Sequence, residues 1–140
     1  MDEKTITLSS GSTLKMLLLD FNSAEQLRVA LLKACSGQSF GLASLDVNDL
    51  SVTTIINLLI SIDTSQEVRD CIRKSAGRCF YNGIHLLLPM EYENACREDY
   101  YEIAGNIIYY NLFERGPFKH LLTKFKDVVR SKKQPENQES

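Results

Sequence analysis

The sequence predicts an α+β fold: mainly helical, with about five helices and an N-terminal β-hairpin packed on them. Three observations lead there. Residues 5–18 alternate apolar and polar with period two about a Ser-Gly turn, the pattern of a half-buried hairpin. The rest of the chain carries apolar residues at helical intervals. Two Ser/Thr-x-x-Glu/Gln capping boxes punctuate those intervals.

In the hairpin, Ile6 and Leu8 face one way and Thr5 and Thr7 the other; after Ser9-Ser10-Gly11-Ser12 the alternation resumes with Leu14, Met16 and Leu18. Gly11 supplies the positive φ of a tight connection. A lone hairpin is marginal in water, so the Ile6/Leu8/Leu14/Met16/Leu18 face is expected to pack on helices. The second strand is read as ending at Asp20-Phe21-Asn22. Ser23 then caps a first helix through Ser23–Gln26, its apolar face being Leu27, Ala30, Leu31 and Ala34, with Gly37 as terminator. Residues 38–48 read as a loop held by Phe40, Leu42, Leu45 and Val47.

A second helix is expected from about Asp49 to Ile62, with Val52, Ile55, Ile56, Leu59 and Ile60 as its buried stripe; its β-branched residues would equally suit a strand. Thr64–Glu67 caps a third helix over roughly 65–79, burying Val68, Cys71, Ile72 and Cys79 and leaving its charges to solvent. Asn82-Gly83 marks a turn before the apolar run Ile84–Leu88, and Pro89 ends that run. A fourth helix is predicted from about Cys96 to Glu114 and a fifth from Phe118 to Arg130, separated by Gly116-Pro117. Residues 1–131 then form a single globular domain, and 132–140, without an apolar residue, a disordered tail.

Composition narrows the function. The 140 residues are 44% hydrophobic and 24% charged, an ordinary globular balance. Apolar stretches such as Met16–Leu19 fall far short of the ~20 residues of a membrane span. The polar N-terminus is not that of a secretion signal, so a cytoplasmic protein with no membrane contact is expected. The net charge of −2 gives no overall attraction to nucleic acid, although residues 118–133 carry a local +5. The four cysteines lack the paired spacing of a zinc or redox site, and no metal or other cofactor is expected. Catalysis would fall to Cys79 or Cys96 with His85, but no nucleophile elbow, phosphate loop or metalloprotease pair accompanies them. Glu98, Asp99 and Glu102 read as exposed acids at a helix start. No catalytic residue is assigned.

The informative feature is the aromatic fourth helix. Tyr100-Tyr101 and Tyr109-Tyr110 are adjacent pairs, and adjacent helical positions diverge by ~100°, so one ring of each pair can be core while the other sits at an edge. Exposed tyrosines are enriched at protein interfaces.

Three stretches resemble small tail assembly chaperones of long-tailed bacteriophages. They are the hairpin from Thr5 to Lys15 followed by a capped helix, Arg78-Cys79-Phe80-Tyr81-Asn82-Gly83, and Arg97-Glu98-Asp99-Tyr100-Tyr101-Glu102-Ile103-Ala104 running on to Tyr110-Asn111-Leu112-Phe113. Gly116-Pro117-Phe118-Lys119 fits the Pro-Phe-Phe-Lys type of ending with one aromatic missing, so the resemblance spans residues 5 to about 125. It implies a non-enzymatic protein of the host cytoplasm that binds the tape measure protein before the tail tube polymerises. The tail tube protein is a further partner, and self-association is left open. A long helical partner with exposed apolar positions can be masked by a small helical module. Helical geometry, not the resemblance, selects Tyr101, Tyr109 and Phe113 as the partner-binding residues. The resemblance also implies a longer, frameshifted form, with Lys132-Lys133 as the place an A-rich slippery sequence would encode. The competing readings are a small nucleic-acid-binding module and a cysteine-dependent enzyme.

Overall fold

A computed structural model describes residues 2–36, 51–62 and 65–115. The expected loop at 38–48, the terminator Gly37, the fifth helix, the Gly116–Lys119 ending, His120 and the tail lie outside the described residues. The architecture is α+β, as expected, with four helices and a four-stranded antiparallel sheet among the described residues.

The N-terminal hairpin forms where the alternation placed it. β1 (Glu3–Thr7) and β2 (Thr13–Leu17) pair with Ile6 opposite Leu14 and Lys4 opposite Met16. Gly11 takes φ +92° and donates its N–H to the Leu8 carbonyl at 2.9 Å, closing the connection. Leu8, Leu14 and Met16 are buried, so one face of the hairpin belongs to the core. Strand pairing continues beyond it: β3 (Cys79–Tyr81) joins β2 with Met16 opposite Cys79, and β4 (Ile84–His85) completes the order β1-β2-β3-β4. Asn82 and Gly83, at φ +52° and +82°, form the two-residue β3–β4 turn, which requires positive φ at both positions.

α1 (Phe21–Ser36) starts earlier than the Ser23 capping box implied. Asp20 is the cap: its carboxylate accepts the Ser23 N–H at 3.1 Å, and these Ser23 hydrogen bonds hold the Asp20 carboxyl below its usual range. Ser23 thus occupies the third helical position, because Asp20 offers an equally good cap one turn earlier. α2 (Val52–Ser61) is a helix despite its β-branched content, capped by Ser51. It buries Ile55, Leu58, Leu59 and Ile62, whereas Ile60, expected in the stripe, is exposed. α3 (Gln66–Ala76) is capped by Ser65, whose hydroxyl accepts the Val68 N–H at 3.3 Å. Cys79 is not on this helix; it leads strand β3.

The largest departure is α4 (Pro89–Ile108), which begins some seven residues before the predicted start. Pro89 opens the helix instead of merely ending a strand, since a first-turn residue needs no N–H and the ring presets φ. Asp99 breaks the helical geometry at φ −137°, ψ 28°, kinking α4. Past Ile108 the chain continues as a π-helical turn, Tyr109–Glu114. α1 packs on α3 and α2 on α4, and their inward faces share one core with the sheet. No helix among the described residues is long and apolar enough to cross a membrane.

Candidate partner-binding surface

Tyr101, Tyr109 and Phe113 are half-buried and packed against the core. Tyr109 and Phe113 lie together, ring centroids 6.4 Å apart. Tyr101 meets Tyr100 edge-on at 5.2 Å and packs beside Leu59, Ile62 and Val68. The i, i+4 pair is therefore brought together, and Tyr101 belongs to a different pair at the α2–α3 junction. All three rings retain an outer edge, and none is a freely exposed anchor.

Phe21, Val29 and Ile60 are exposed at scattered places, whereas the segment leading into α4 gathers four large apolar side chains in solvent. Ile84, Leu87, Leu88 and Met90 are 48, 65, 57 and 72% exposed. β4 spans only Ile84–His85, and Pro89 commits the following residues to a helix start, so the run between them has too little regular structure to fold inward. Only Leu86 of this stretch is buried, at 3% exposed. The sequence signal was an apolar run too short and irregular for a strand, set directly before a helix-opening proline.

This segment adjoins a groove between α3 and the first half of α4. A depression of about 560 Å³ is bounded by Arg69, Arg73 and Arg97, with Tyr92 and Tyr100. A second, of about 410 Å³, continues past Arg73 and Tyr92 to Leu87 and Pro89. The Arg73 guanidinium lies 5.5 Å from the Tyr92 ring centroid and Arg69 lies 5.6 Å from that of Tyr100. Stacking holds each cation at a defined place. Burial pushes the Tyr92 phenol up, so it remains a neutral wall.

At the far end of the sheet, Asp99 is buried and mid-helix, not an exposed acid at a helix start. It accepts hydrogen bonds from Ser10 Oγ at 2.7 Å and from Tyr81 Oη at 2.6 Å. Glu102 accepts the Ser9 N–H at 3.0 Å, and Asn82 accepts the Thr13 N–H at 2.8 Å. The hairpin tip, the β3–β4 turn and the α4 kink are tied together by side chains that satisfy one another. This cluster is structural.

The groups weighed for catalysis are arranged otherwise. His85 Nε2 is 2.6 Å from the Gly77 carbonyl and its ring stacks on Phe80 at 4.6 Å, which fixes its orientation. Burial pushes the Cys79 thiol up to about 12 and raises Cys96 as well, suppressing the thiolate a nucleophile needs. All four cysteines are free, and the described residues hold no group of three or more His, Cys, Asp or Glu suited to a metal ion. No family model, curated protein or solved structure matches the chain.

Proposed function

We propose that this chain is a non-enzymatic binding protein of the tail assembly chaperone type, which masks apolar positions of the tape measure protein in the bacterial cytoplasm before the tail tube assembles. The observation that carries this reading is the exposed Ile84–Met90 segment, where four large apolar side chains lie within seven residues beside an Arg/Tyr groove. Contiguous exposed apolar surface is costly in water and marks interaction sites. Tyrosine and arginine are among the side chains enriched where binding energy concentrates. The three stretches that resemble the chaperones also meet at Asp99, which accepts from Ser10 of the hairpin and from Tyr81, so residues of all three lie in one structural unit.

The test is co-expression of the tagged chain with the tape measure protein of the same genome. The expected result is a soluble tape measure protein that co-purifies at fixed stoichiometry. Leu88→Asp/Met90→Asp should lose that retention by at least tenfold with an unchanged melting curve, because both side chains are already solvated. A tape measure protein equally soluble without the chain, and never retained by it, overturns the proposal.

A further inference from the structure

α3 places two arginines on one side. Arg69 and Arg73, one helical turn apart, line the groove facing α4. Glu67 lines the opposite flank, where Glu25 of α1 adds a second acid around a depression of about 440 Å³. Asp70 lies on the ridge and borders both sides; its carboxylate accepts from Gln66 Nε2 at 2.8 Å. From α4, Arg97 and Glu93 complete the groove; Lys74 borders its continuation towards Leu87, but its ammonium donates to Gln26 Oε1 of α1 at 3.3 Å. The groove therefore carries three arginines against two acids, although the chain as a whole is −2. Its continuation is walled by Leu86, Leu87 and Pro89, and the chain neighbours Leu88 and Met90 are exposed. An occupant complementary to both features has carboxylates flanking an apolar stripe.

We infer that the groove between α3 and the first half of α4 docks an acidic amphipathic helix of a partner protein, the apolar stripe seated on Tyr92, Leu87 and Pro89 and the carboxylates on Arg73 and Arg97. Guanidinium groups suit this task because they bind carboxylates in a two-pronged geometry and stack on aromatic faces. A helix laid in a groove uses i, i+3, i+4 and i+7 anchors, which an elongated, open depression accommodates better than a small molecule. The inference deepens the binding-protein reading and rests on it for the identity of the partner; the charge preference stands on the groove alone.

The experiment uses the full chain and two synthetic 15-residue peptides with Leu at i, i+3, i+4 and i+7, identical except for Glu or Lys at the flanking positions. Binding is read by fluorescence anisotropy at low and high salt. The Glu peptide should bind at least tenfold tighter than its Lys twin, and salt should erode the difference. Arg73→Glu/Arg97→Glu should invert the order, whereas Arg73→Lys/Arg97→Lys should keep it. Equal binding of the twins, or binding of neither, overturns the inference. Two other occupants would also overturn it: a second copy, seen as self-association abolished by the charge reversal, or single-stranded nucleic acid, seen as retention of an oligo-dT that the reversal abolishes. A tape measure protein retained equally by wild type and by the reversal variant removes the groove while leaving the chaperone proposal intact. Retention by neither removes the chaperone proposal, and the peptides alone then decide the groove.

Discussion

Asp99 shows how much one side chain can organise. It receives hydroxyls from the exposed Ser10 and the half-buried Tyr81 at 2.7 and 2.6 Å while itself 7% exposed, so removing it loses two hydrogen bonds at once. Asp99→Ala should cost about 1–3 kcal/mol in urea unfolding. Tyr81→Phe should cost less, and a double-mutant cycle between them should show coupling; additive losses would mean that the bond contributes nothing specific. The buried thiols give a second prediction. Cys35 and Cys79 are both pushed up to about 12 by burial from an ordinary 9.0. An acid whose folded pKa is raised adds stability that is fully present below its unfolded value and lost as pH rises through the folded one. The urea midpoint should therefore hold to about pH 9 and fall between 9 and 12. Tyr81, Tyr92 and Tyr110, all raised by burial from 10.0, steepen the upper part. Cys35→Ala/Cys79→Ala should flatten the first part of that fall; a variant falling as steeply as wild type would assign it elsewhere.

Between elements, α2 and α4 approach closely where they cross at Gly105. A Cβ there would stand 2.7 Å from Ile56 Cγ1 and 3.6 Å from Val52 Cγ1. Alanine gains about 1 kcal/mol of helix propensity over glycine, and overpacking costs about 1–3 kcal/mol, so Gly105→Ala should lose stability on balance. Adding Ile56→Ala relieves the contact and should recover part of the loss in thermal unfolding. Recovery by an unrelated cavity such as Leu27→Ala, and not by Ile56→Ala, would refute close packing as the cause. The π-helical turn has its own anchor: Asn111 Oδ1 accepts the buried Leu19 N–H at 2.9 Å while Nδ2 donates to the Ile107 carbonyl at 2.8 Å. That asparagine ties the end of α4 to the chain between β2 and α1. Ion pairs from Lys4 to Glu114 and from Arg115 to Asp2 fasten the same turn to the first strand.

Across the described residues, the sheet and the four helices contribute to one buried cluster. Leu112, fully buried in the π-helical turn, is part of it. A carboxylate buried there without a partner costs several kcal/mol, comparable with the roughly 5–15 kcal/mol that holds a domain together. Leu112→Asp should abolish the tyrosine near-ultraviolet signal and the helical far-ultraviolet signal together. In wild type the two signals should melt at the same temperature, as a single cooperative unit requires. A far-ultraviolet signal that survives Leu112→Asp undiminished would show that the helices do not depend on the shared core.

What the sequence determined by itself was whatever short-range chemistry encodes. The strand alternation of Ile6, Leu8, Leu14 and Met16, the positive-φ turn at Asn82-Gly83, and the 3.6-residue stripes of α1 to α4 are each set within a few residues of one another. Even the misplaced starts of α1 and α4 erred among local alternatives, Asp20 against Ser23 and a helix-opening against a strand-ending Pro89, which differ by small energies. The tertiary structure decided what depends on residues far apart in sequence. β2 meets β3 across some sixty residues, which brings Tyr81 and Ser10 onto Asp99 and turns an apparently exposed acid into a buried acceptor. The packing of α3 beside α4 turns scattered arginines into one side of a groove, and the brevity of β4 leaves Leu87, Leu88 and Met90 in solvent. Burial and charge clustering are properties of which surfaces meet, and chain periodicity gives each element a face without choosing its neighbour.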